Sequence, residues 1–65
     1  MSRAKANTIL YLVDESKPIR VSEPFAHIVA MMNSVEMFRA TRVLDHGALR
    51  DVVVRGNAIL LAEKA

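Results

Sequence analysis

Apolar and polar positions in this chain fall into short blocks, and most of the blocks have the period of a strand. Thr8 to Val13 is rich in β-branched, aromatic and aliphatic residues and is apolar at odd and even positions alike. That composition favours a strand buried on both faces. Asp14-Glu15-Ser16-Lys17 is a polar break of hairpin length, after which Pro18 opens a second strand with Ile19 and Val21 on one face and Arg20 on the other. Phe25, Ile28, Val29 and Met32 then recur at helical spacing. Ser22 is the expected N-cap, Glu23 places negative charge at the positive end of the helix dipole, Pro24 fits the first turn, and Asn33 is the expected C-cap. This helix is about ten residues long and needs a sheet to pack on.

Glu36 to Leu44 has two consistent readings. As a helix it would be capped by Ser34, with a Met37/Ala40/Thr41/Leu44 stripe ended by Gly47. As a strand it places Phe38, Ala40, Arg42 and Leu44 on one face, and the hairpin that follows favours this reading. A four-residue loop, Asp45-His46-Gly47-Ala48, would pair Leu44 with Leu49 and Arg42 with Asp51, matching apolar to apolar and charge to charge. Arg55-Gly56-Asn57 is expected to be a tight turn with Gly or Asn at positive φ, and Ala58 to Ala62 the last strand, with a frayed end after it. The expected fold class is α+β, in the order β-β-α-β-β-β, one short helix on an antiparallel sheet. Residues 1–7 are expected to form a flexible basic tail and residues 8–65 one domain.

One helix covers only one face of such a sheet. Both Thr8–Val13 and Ala58–Ala62 are apolar on two faces, so the second face is expected to be covered by a second copy of the chain. The expected interface residues are Leu10, Leu12 and Leu60, with Met31 and His27 on the helix face away from the core stripe.

The second half has a family likeness. Phe38-x-x-Thr41-Arg42-Val43, a short loop, then Val52-Val53-Val54-x-x-Asn57-x-Ile59-x-x-x-Glu63 resembles the opening of the small flagellar FlbD/SwrD-like proteins. The strand from Thr8 to Val13, the polar turn, the Ile19–Val21 strand and the helix begun by Ser22-Glu23 resemble that family's closing hairpin and helix. The two halves stand in swapped order, as in a circular permutation. The resemblance implies an architecture and a bacterial or phage origin; it carries no active-site residue.

Composition and charge narrow the function. The chain has 65 residues, 52% of them hydrophobic, and no cysteine, which excludes disulfides and thiolate metal sites. No apolar run reaches the ~20 residues of a membrane span, and a cytoplasmic protein is expected. Nine Lys and Arg against seven Asp and Glu leave a net charge of +2, scattered along the chain. His27 and His46 have no partner at metal-ligand spacing, Gly47 and Gly56 stand alone, and no nucleophile motif occurs. No catalysis and no cofactor are therefore expected. The leading expectation is a non-catalytic interaction module, a small regulator acting as a homo-oligomer that docks a protein or small ligand. The alternative is a nucleic-acid-binding regulator using Arg39, Arg50 and Arg55 on the sheet with an arm formed by Arg3 and Lys5. That alternative rests on Arg39 and Arg50 sharing the sheet face opposite Phe38.

Overall fold

The computed structural model describes residues 5–65. Five strands and one α-helix follow the expected order: β1 (Thr8–Leu12), β2 (Ile19–Val21), α1 (Phe25–Ser34), β3 (Met37–Val43), β4 (Leu49–Arg55) and β5 (Ile59–Lys64). All strands are antiparallel in one sheet of order β4-β3-β2-β1-β5. The Glu36–Leu44 segment forms a strand over Met37–Val43, as the hairpin argument favours, and the protein is an α+β domain with its helix packed on the sheet.

The link from β4 to β5 decides the shape. These strands stand at opposite ends of the sheet order, which a flat sheet would hold about 19 Å apart, at four strand spacings. Four Cα steps from Arg55 to Ile59 reach at most about 14 Å. The sheet must therefore curl until the end of β4 approaches the start of β5, while the two edges stay unpaired with each other. A 3₁₀ turn, Gly56–Ala58, makes the crossing, and the Val13 N–H donates to the Ala58 carbonyl at 2.9 Å to fix it beside the end of β1. Neither Gly56 nor Asn57 has positive φ, so the expected left-handed turn is absent. A Cβ at Gly56 would lie 3.4 Å from the Met32 carbonyl oxygen and 3.5 Å from that of Val35, ordinary van der Waals distances, so neither φ nor space demands glycine there.

Curling encloses one face of the sheet. Leu10, Ile19, Val21, Phe38, Ala40 and Val54 from the strands meet Ile28 from the helix as the buried core. Leu12, Met31, Met32, Val52, Ile59 and Ala62 pack around it, half-buried. Leu10 therefore belongs to the chain's own core and is not available to an interface, and Met31 faces inward while Val29 is exposed. Periodicity cannot choose between Val29 and Met31, since both flank the Phe25/Ile28/Met32 line. The contact of α1 with β5 and with the 3₁₀ turn settles it. Phe25 lies half-buried beneath the Lys64 ammonium, which is 5.9 Å from its ring centre.

The helix ends also differ from expectation. Pro24, extended at φ −61°, is the N-cap, and no side chain caps the helix; Val35, also extended, is the C-cap in place of Asn33. Ser22 and Glu23 are used elsewhere. The Ser22 N–H donates to the Thr41 carbonyl at 2.9 Å, and its own carbonyl accepts from Asn7 Nδ2. The Glu23 carboxylate takes the Thr41 N–H on both oxygens, at 2.9 and 3.0 Å. β2 pairs with β3 at the single bridge Val21–Arg42, so Glu23 extends the ladder past the end of β2 with a side chain. Thr8, fully buried, donates its hydroxyl to the Glu23 carbonyl at 2.8 Å.

The tail expected at residues 1–7 lies outside the described residues up to residue 4; its last residue, Asn7, and the end of β5 are tied to the sheet. Asn7 donates its N–H to Val21 and accepts from the Ala65 N–H, and β5 runs through Lys64.

Candidate functional site: an open edge strand and the outer face of the sheet

The hairpin between β3 and β4 sets which residues face outward. The expected four-residue loop is a three-residue one: the Gly47 N–H donates to Leu44 at 2.8 Å and the Leu44 N–H to Ala48 at 2.9 Å. Gly47 supplies the positive φ, 88°, that this turn-plus-bulge geometry requires. The pairing is therefore Thr41–Asp51, Arg42–Arg50 and Val43–Leu49, one residue from the register expected. A slip of one residue moves a whole strand's side chains to the other face. Val52 and Val54 thus join Phe38 and Ala40 inside, and Leu49, Asp51, Val53 and Arg55 join Met37, Arg39 and Thr41 outside.

The outer face combines apolar surface with charge. Val53 is 65% exposed, and Met37 and Leu49 are each 53% exposed, flanked by exposed Arg39, Asp51 and Arg55. Its far side carries exposed Leu61 opposite half-buried Tyr11. The Tyr11 hydroxyl donates to Glu63 at 2.7 Å, a bond that pushes the phenol pKa up, with desolvation and the Glu63 charge adding to it. Leu60 is 70% exposed where the β1–β5 register is broken.

β4 is an edge strand, and its free edge can be read from the ladder. The Gly56 N–H donates to Glu36 at 2.9 Å and the Leu44 N–H to Ala48, so the even-numbered residues of β4 form the hydrogen-bonded pairs with β3. The N–H and C=O groups of Leu49, Asp51, Val53 and Arg55 then point to the open side.

The sequence-expected site residues are dispersed by this arrangement. Leu12 is half-buried at the rim of the core, and His27 and Leu60 are exposed on separate elements. Arg39 and Arg55 share the outer face, whereas Arg50 lies on the inner one, directly across from Arg42. The expected patch of Arg39 with Arg50 does not form, because the register it relied on is shifted. Lys5 is exposed, and Arg3 lies outside the described residues. Leu49 and Val53 were missed as surface residues, whereas Met37 lies opposite Phe38 as the strand reading has it; the Asp-His-Gly tripeptide, which suits a three-residue loop, was the signal that could have placed them.

Two clefts open near β4 and the β3–β4 hairpin. One, of about 420 Å³, lies between Lys17, Arg20, Arg42 and His46, with Asp45 on its rim. The other, of about 340 Å³, has an apolar floor of Leu12, Ile19, Val52 and Val54, with Asp14 and Glu15 on one rim and Arg42 and Arg55 on another. Among the described residues no three His, Asp or Glu side chains converge as a metal site, and no helix is long and apolar enough to cross a membrane. No family model matches the chain, and neither a curated protein nor a solved structure matches it.

Proposed function

We propose that this protein is a non-catalytic interaction module that works as a homo-oligomer, with the open edge of β4 and the adjoining outer face as its contact surface. The observation that carries this reading is β4 itself. It is seven residues long, has its outward N–H and C=O groups unpaired among the described residues, and presents Leu49 and Val53 beside them. Exposed edges of this kind pair with other strands unless they are blunted. The cleft floored by Leu12, Ile19, Val52 and Val54 lies against the same strand and offers room for one side chain or a small ligand of a docked partner.

Sedimentation across a micromolar to millimolar series tests the reading. The expected result is a mass rising to a multiple of the chain mass. A Val53→Lys variant, changed at an exposed position, is expected to keep the fold and remain monomeric. A wild-type chain that stays monomeric throughout the series overturns the proposal.

A further inference from the structure

We propose that two copies of the chain join β4 to β4, antiparallel, about a two-fold axis at Val53. The inference rests on the self-association reading and goes further, because it names the register. An isologous pairing of identical strands places residue i against residue j with a fixed sum. Continuing the ladder requires that the outward-pointing groups of Leu49, Asp51, Val53 and Arg55 meet the same set in the second copy. Odd residues must therefore face odd residues, which also keeps the outer faces of the two sheets on one side.

Few registers meet this condition, and charge separates them. Centring on Asp51 sets Asp51 against itself, a direct like-charge pair. Centring on Val52 faces Asp51 with Val53 and Leu49 with Arg55, and centring on Val54 faces Val53 with Arg55. Each of these leaves charge against apolar surface. Centring on Val53 sets Val53 against Val53 and Asp51 against Arg55 on both sides of the axis. On the inner face the same register sets Val52 against Val54. Opposite charges then meet twice and valines meet valines.

Asp51 and Arg55 lie four residues apart on one strand face, about 13 Å at the usual strand rise, so they cannot reach each other within one chain. A second copy brings them together. In this register the pairs at residues 51, 53 and 55 exchange main-chain hydrogen bonds across the axis.

Charge reversal tests the register. Asp51→Arg puts Arg against Arg55 at both ends, and Arg55→Asp puts Asp against Asp51; both positions are exposed, and far-UV circular dichroism checks that each variant keeps the fold. Each single variant is expected to dimerise at least about tenfold more weakly than wild type, since two favourable pairs become two repulsive ones. An equimolar mixture of the two is expected to recover the loss, because every contact in that heterodimer again joins Asp to Arg. Amide exchange at Val53 is expected to slow with dimerisation while Val54, already bonded to β3, changes little. A wild-type dimer indifferent to either reversal, or one whose Val53 amide exchanges freely, overturns the register and leaves self-association standing. A monomeric wild type overturns both.

Discussion

The two faces of the sheet are built from the same strands and have opposite fates. Val54 is 5% exposed and the neighbouring Val53 is 65% exposed. Phe38 and Ala40 are in the core, while Met37 and Arg39, each one residue away, face solvent. The inner face needs no second copy, because the sheet curls on itself and the helix closes over it. Among the described residues the outer face has no element above it, and the β4 edge that borders it is open. Hydrophobicity therefore does two different jobs here: inside it holds the monomer together, and outside it is available to something else. A count of apolar residues cannot separate these jobs, because alternation deals each strand's residues to both faces.

Substitutions on the two faces should differ accordingly, and the largest effect is expected inside. Ile28 is the helix's fully buried anchor, and Ile28→Ala should cost about 2–5 kcal/mol. In a chain this short, where stability is small to begin with, much of the population is then unfolded at room temperature. Val29→Ala, one residue along on the exposed side of the same helix, should change stability by no more than about 0.5 kcal/mol. Urea denaturation followed by circular dichroism measures both, and equal losses would break the contrast.

A smaller effect is expected at the junction where the sheet passes into the helix. Glu23→Ala removes the acceptor for the Thr41 N–H and should cost about 1–2 kcal/mol. Glu23→Gln keeps one oxygen and should lose less. The same denaturation series checks this, and a larger loss for Gln than for Ala would contradict the hydrogen-bond account.

The smallest effect is expected on the outer face, at Tyr11. Its pKa is raised in the folded chain, first by the hydrogen bond to Glu63. A raised folded pKa contributes stability that is complete below the ordinary phenol value of about 10 and is lost as pH climbs through the higher folded value. Tyr11→Phe should therefore remove a small contribution at neutral pH and flatten the alkaline end of the stability curve, so that the two proteins converge as pH rises. Thermal melts at neutral and alkaline pH compare the two proteins; identical alkaline slopes would show that Tyr11 is not the group responsible.

What the sequence determined by itself is local. Strand-forming runs at Thr8, Ile19 and Leu49, a helix of about ten residues beside Pro24, and breaks at Asp14 and Asp45 all follow from side-chain period, proline geometry and turn chemistry, each acting within a few residues, whereas the run at Met37 reads as helix or strand until the hairpin after it favours the strand. What only the tertiary structure decided depends on contacts between distant residues. Met31 rather than Val29 faces the core because α1 lies against β5 and the 3₁₀ turn. Glu23 serves Thr41 across the sheet rather than its own helix, because β2 is too short to reach. The faces of β4 were lost by a single residue at Gly47, which closes a three-residue loop where a four-residue one was expected. The return of β5 to β1 rests on a short crossing that compels the sheet to curl. That curl, a property of all five strands at once, is what encloses Leu10 and leaves Val53 outside.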